Sequence, residues 1–140
     1  MESGGHVMET IMRCAEGTKV TRGNQHQTVS CSLNQYLNRL LLKELTTYQG
    51  RLDALRLRTG WRRDVPLYVN PSCCLFVTTS HRESTAIYIN CVEVISIRPH
   101  DQSWTEIRFK SLHVQRVRIP YKRLKRKYEK ACLILTMLTK

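Results

Sequence analysis

Six of the ten residues from Tyr121 to Lys130 are basic: Lys122, Arg123, Lys125, Arg126, Lys127 and Lys130, against one acid, Glu129. Guanidinium and ammonium groups at this density suit one task above others, which is holding phosphate through charge-assisted hydrogen bonds. Arg116 and Arg118 precede the run, and Arg51, Arg56, Arg58, Arg62 and Arg63 form a second basic group earlier in the chain. Residues that would carry catalysis are poorly arranged. His81-Arg82-Glu83 has the H-x-E half of a zinc deaminase signature, but no P-C-x-x-C follows, so the segment reads as a turn. His6, His26, His100 and His113 stand in unrelated contexts, none at a general-base or metal-ligand spacing from a carboxylate. The six cysteines (Cys14, Cys31, Cys73, Cys74, Cys91 and Cys132) include no C-x-x-C pair and read as buried free thiols of a reducing compartment. With no glycine-rich phosphate loop either, the expectation is a non-enzyme without cofactor or metal.

The whole chain is basic, with 23 Lys and Arg against 11 Asp and Glu over 140 residues, a formal net charge of +12. The excess is uneven: residues 1–50 hold five basic and four acidic residues, residues 108–140 eleven and one. Such clustering is the electrostatic footprint of a nucleic-acid binder, with an anionic membrane surface as the other candidate. No window approaches the roughly 18–20 apolar residues of a membrane span, and the start MESGGHVMET lacks a signal-peptide pattern. A cytoplasmic chain is therefore expected.

The elements that must position these charges follow from periodicity. Residues 1–31 read as a polar N-terminal arm, loose over its first dozen residues, with a short hairpin of Thr18–Thr21 and Gln27–Cys31 about Arg22-Gly23-Asn24. Residues 32–140 read as one domain. Ser32 with Gln35 is a capping-box pattern, and Leu33, Tyr36, Leu37, Leu40, Leu41, Glu44 and Leu45 continue it as a helix to Tyr48. Gly50 is a stop or kink, a second helix covers Arg51–Arg58, and Thr59-Gly60 ends it ahead of a loop, Trp61–Asp64. From Pro66 the pattern changes. Leu67–Asn70, Cys74–Thr79, Ala86–Asn90, Glu93–Arg98, Trp104–Lys110 and Val114–Ile119 are short β-rich runs divided by turn residues. Their spacing leaves no room for crossover helices, so an antiparallel meander is expected. In the last run Val117 and Ile119 point inward while Arg116 and Arg118 face the other way; Arg108 and Lys110 alternate likewise one strand earlier.

The main basic run falls on a C-terminal helix. Pro120 suits a first helical turn, and Tyr121, Leu124, Tyr128, Ala131, Leu135 and Leu138 make an apolar stripe. Cations in a first turn oppose the helix macrodipole by roughly 0.3–1 kcal/mol each, a penalty that a bound polyanion reverses. A solvated lysine face is the ordinary alternative. Trp61, Tyr121, Tyr128 and Trp104 interleave the basic stretches and could stack on bases or fill the core. The apolar end Leu133-Ile134-Leu135 with Met137 and Leu138 could join two copies or enter the core. The fold class expected is α+β: an N-terminal helical segment, an antiparallel meander and a C-terminal basic amphipathic helix.

Thr46-Thr47-Tyr48-Gln49-Gly50-Arg51, then Ala54, Val65-Pro66-Leu67-Tyr68-Val69 and Asn70-Pro71 resemble the S-S-Y-x-G-R … P-I-x-V-x-P run of the ComK competence transcription factors. Leu75–Ser80 resembles F-P-T-x-S, Tyr88-Ile89-Asn90 resembles W-I-S/N, Thr105–Phe109 resembles T-x-V-x-F, and Ile119-Pro120-Tyr121 resembles I-S-Y. The match spans about residues 40 to 135, in the family's order. It departs at Val77, where the family has Pro, and at Lys110-Ser111, where Asn-Gly is common. The chain also ends near its last helix, where longer members carry a tail used in adaptor-guided proteolysis. The resemblance implies a bacterial activator of DNA-uptake genes that binds AT-rich promoter boxes through the minor groove and as paired dimers; contact with RNA polymerase is a further partner expected of such an activator.

Joined to the charge pattern, this yields an expected DNA contact set of Arg116, Arg118, Lys122, Arg123, Lys125, Arg126 and Lys127, with Arg51, Arg56, Arg58, Arg62 and Arg63 as the second group. The partner expected is double-stranded DNA bound by a homodimer or higher oligomer, with no membrane. An RNA-binding accessory protein and an anionic-membrane interaction protein are the competing readings.

Overall fold

Alternating apolar residues from strands far apart in sequence meet on the two faces of one sheet, and this determines the architecture. The computed structural model describes residues 7–139. The main sheet contains β1 (Thr10–Cys14), β2 (Gly17–Arg22), β3 (Gln25–Val29), β4 (Leu67–Asn70), β5 (Cys73–Val77) and β6 (Ile87–Asn90), in the order β3-β2-β1-β6-β5-β4. Every pairing is antiparallel. Ile11 lies opposite Tyr88, and both point to a face covered by α1 (Leu33–Leu42) and α2 (Tyr48–Thr59). Phe76 lies opposite Ile89 on the other face. There the sheet meets α3 (Tyr121–Leu138) and a second sheet of β7 (Val94–Pro99), β8 (Thr105–Phe109) and β9 (Val114–Val117). The fold is α+β, with two antiparallel sheets rather than one continuous meander.

Three sequence expectations are corrected. The helix expected through Tyr48 ends at Leu42, and α2 starts three residues before Arg51. Leu45 fits the apolar period, yet it takes a left-handed conformation (φ 61°) and is 93% exposed. Thr47 then caps the new helix by accepting from the Gly50 N–H at 3.0 Å, while Asn38 Oδ1 accepts from the Tyr48 N–H at 2.7 Å. Gly50 is thus inside α2 and not a stop. The dozen residues expected to be loose also differ. Residues 1–6 lie outside the described residues, but Thr10–Cys14 is an inner strand whose Thr10 and Ile11 are fully buried. Its mixed composition hides this, because burial comes from pairing with β6 and not from local pattern. The β2–β3 hairpin does turn at Gly23-Asn24.

Local signals are otherwise realised closely. Ser32 and Gln35 form the reciprocal capping box, with Gln35 N–H to Ser32 Oγ at 3.1 Å and Ser32 N–H to Gln35 Oε1 at 2.9 Å. Gly60 ends α2 at φ 76°. At the β1–β2 turn Gly17 has φ 139°, and a Cβ there would lie 2.4 Å from the Val29 carbonyl oxygen, so only glycine fits. The fully buried Asn90 joins separate segments. Its Oδ1 accepts from Cys74 N–H (3.1 Å) and Val92 N–H (3.2 Å), and its Nδ2 donates to the carbonyls of Met8 (3.0 Å) and Ser72 (3.1 Å).

Candidate nucleic-acid interface

The loop between α2 and β4 is fastened to α3 by two lysines one turn apart. Lys127 Nζ donates to Asp64 Oδ1 at 2.8 Å, and Lys130 Nζ donates to the Arg63 carbonyl at 3.0 Å. Lys130 also stands over the Trp61 ring, 5.0 Å from its centroid, a cation–π contact. Asp64 has φ 53°, a conformation that aspartate tolerates better than most residues. The hydrogen bond from Lys127 holds the Asp64 carboxyl below its usual range against the opposing effect of burial, with the charges of Lys127, Lys130 and Arg123 assisting. Arg62 and Arg63 are left exposed on a loop gripped at both sides.

These contacts bring some residues of each basic group together around one groove of about 520 Å³. Arg56 from α2, Arg62 and Arg63 from the loop, and Arg123 and Lys127 from α3 line it, with Asp64 its single acid. A smaller hollow of about 120 Å³ adjoins it, formed by Asp64, Arg123, Arg126, Lys127 and Lys130. Arg56 approaches Asp53 to 3.8 Å, but both side chains are well exposed, so the pair leaves the guanidinium largely available. The groove floor is less polar: Leu52, Leu67, Leu75 and Tyr88 are buried there. Tyr88 Oη lies 2.7 Å from His81 Nδ1 and 3.2 Å from Tyr48 Oη, while His81 Nε2 meets Asn34 Oδ1. Burial, then the charge of Arg13, holds the His81 pKa below its ordinary value.

Six expected contact residues stand elsewhere. Arg51 packs its guanidinium over the Tyr68 ring, 5.6 Å from the centroid, and Arg58 is exposed on α2 without lining the groove. Arg116 and Arg118 face outward from the end of the second sheet, and Arg116 Nε is 3.6 Å from Glu106 Oε1. Lys122 is exposed on α3, and Lys125 lies on the other flank of that helix, over Tyr121 and beside Val94–Ile97. Lys127 lines the groove but is only 6% exposed, with its charge committed to Asp64.

Lys127's burial had a signal in the sequence, since it stands three residues after Leu124 and four before Ala131, on the apolar stripe of α3. Tyr48, His81 and Tyr88 had none; the β5–β6 hairpin and the start of α2 bring them together only in the fold. Tyr128 is core, edge-on to Phe76 at 5.9 Å, and Ile134 is buried while Leu133 remains half exposed. Among the described residues no cluster of three His, Cys, Asp or Glu side chains is placed to hold a metal, and no helix is long and apolar enough to cross a membrane. A family model described as ComK protein matches residues 9–140. No curated protein and no solved structure matches the chain.

Proposed function

The chain belongs to the ComK family of competence transcription factors, and from that membership we propose that it binds double-stranded DNA and activates DNA-uptake genes from AT-rich promoter boxes. The family is one of transcription factors and not of enzymes. The observation that carries the reading is the convergence of Arg56, Arg62, Arg63, Arg123 and Arg126 on one basic surface, where the acid lining the groove, Asp64, is already paired with Lys127 and the exposed Asp53 stands 3.8 Å from Arg56. Such a surface fits a phosphate backbone, which guanidinium groups grip in bidentate fashion. Lys127 and Lys130 act as positioning residues: they hold the loop so that Arg62 and Arg63 project. AT-rich tracts narrow the minor groove and deepen its negative potential, and this loop is the part of the protein that would enter it.

Two copies on neighbouring boxes complete the activator, with Leu133 of α3 as the apolar residue left outward for a contact between them. Contact with RNA polymerase and a cytoplasmic location follow from the same role. Selection of bound sequences from random duplex DNA tests the reading. Enrichment of AT-rich boxes at two spaced half-sites is the expected result. Recovery of no consensus, or preferential displacement by structured RNA or acidic lipid vesicles, would reject it.

A further inference from the structure

A duplex backbone held on the rim, as proposed above, would leave the interior of the groove unused. That interior, about 520 Å³, lies within the size range of small-ligand sites and runs down to buried Leu75 and Tyr88. Its two ends differ chemically. The rim offers Arg56, Arg62, Arg63 and Arg123, which suit two or more phosphate charges. The floor offers the hydroxyls of Tyr48 and Tyr88, 3.2 Å apart, and the Tyr48 ring stacked on His81 with centroids 5.1 Å apart. A planar, hydrogen-bonding ring suits a floor of this kind, and phosphates suit the rim, so a ligand carrying both would match the two ends of one groove. We propose that the groove is a binding site for a free nucleoside diphosphate, its phosphates on the arginine rim and its base on the tyrosine–histidine floor.

Occupancy of the groove stands apart from the DNA reading; only its consequence rests on that reading. Arg62, Arg63 and Arg123 cannot hold a diphosphate and a DNA backbone together, so the ligand acts as a competitor and makes promoter binding responsive to nucleotide supply.

Isothermal titration of the full chain, without DNA, with ADP, adenosine and pyrophosphate separately tests the site. ADP binding at least tenfold tighter than either fragment is expected. No binding of ADP at millimolar concentration, or pyrophosphate binding as tightly as ADP, overturns the proposal. Thr79 also lines the groove, and Thr79→Trp, which fills it, should weaken ADP at least tenfold with an unchanged far-ultraviolet circular dichroism spectrum. Undiminished ADP affinity in that variant places the ligand elsewhere and overturns the assignment. Should Thr79→Trp not fold, Tyr88→Phe replaces it; the same tenfold loss is expected, and retained affinity again overturns the assignment. A mobility shift of wild-type protein on an AT-rich duplex, with and without saturating ADP, reads the consequence: weakened binding supports a shared rim, and unchanged binding refutes it. A protein that binds ADP and no DNA would defeat the DNA reading and leave the ligand site standing.

Discussion

Lys127 Nζ donates to Asp64 Oδ1 at 2.8 Å, and the two partners are unequally exposed: the lysine side chain 7%, the aspartate 51%. The asymmetry gives different outcomes for the two single substitutions. Asp64→Asn leaves a buried ammonium without its counter-charge and should destabilise the fold by about 1–3 kcal/mol. Lys127→Met keeps the apolar stem and lets Asp64 return to water, at a loss below about 1 kcal/mol. Urea unfolding of both variants and of the double variant measures this. The double variant should be more stable than Asp64→Asn alone, and equal losses from both single variants would contradict the asymmetry.

The same pair has a pH signature. The folded Asp64 carboxyl titrates below its unfolded value of about 3.9, so the unfolded chain binds the proton first. Stability from the pair is therefore fully present above that unfolded value and disappears as pH falls through the lower folded one. The difference in unfolding free energy between wild type and Asp64→Asn should be constant from about pH 7 to pH 5 and shrink below about pH 4. A difference that widens on acidification would reverse the sign and refute the assignment.

Charge reversal separates the groove from the other basic residues. Arg62→Glu with Arg123→Glu should weaken binding to an AT-rich duplex by at least a hundredfold, each lost phosphate contact also flattening the salt dependence by about one unit of slope. Arg58→Glu with Arg118→Glu, which changes net charge equally away from the groove, should weaken it less than tenfold. Mobility shifts on all three proteins decide the matter. Equal losses would mean that net charge, and not the groove, governs affinity.

Salt titration of the wild type counts the contacts. About six phosphates neutralised predicts log K falling against log salt concentration with a slope near −5. A slope shallower than about −2 would leave too few ionic contacts for the surface proposed.

Asn90→Ala removes four hydrogen bonds and leaves buried amides and carbonyls unpaired. A loss of about 3 kcal/mol is expected, read from the urea midpoint with an unchanged denaturant slope. A loss under about 1 kcal/mol would mean that water reaches the site.

Much of this was legible from local chemistry. Strands β4 to β9 lie within a few residues of the β-rich runs, because turn residues punctuate them sharply. The Ser32 box and Gly60 stop were readable for the same reason. Leu45 misled, since a periodic leucine in a left-handed turn looks the same in sequence as one in a helix. Strand β1 was invisible because Thr10-Ile-Met-Arg-Cys14 owes its burial to β6. At the site, both basic groups could be read as charge, but not that the Trp61–Asp64 loop would carry Arg62 and Arg63 to Arg123. The imidazole of His81 read as a turn residue; nothing local tells that Tyr48 and Tyr88 would close around it.

Strand β1 touches the rest of the main sheet through β6, with Thr10 opposite Ile89 and Met12 opposite Ile87. The first three strands consequently have no neighbour to complete their pairing until residue 90 has been synthesised. On the ribosome, the β1–β3 ribbon must wait through the emergence of both early helices and the β4–β6 hairpins, its inner edge unpaired throughout. Chains released before that point would present this open edge to one another, which makes truncated products of this protein prone to self-association, whereas the finished one covers that edge with β6.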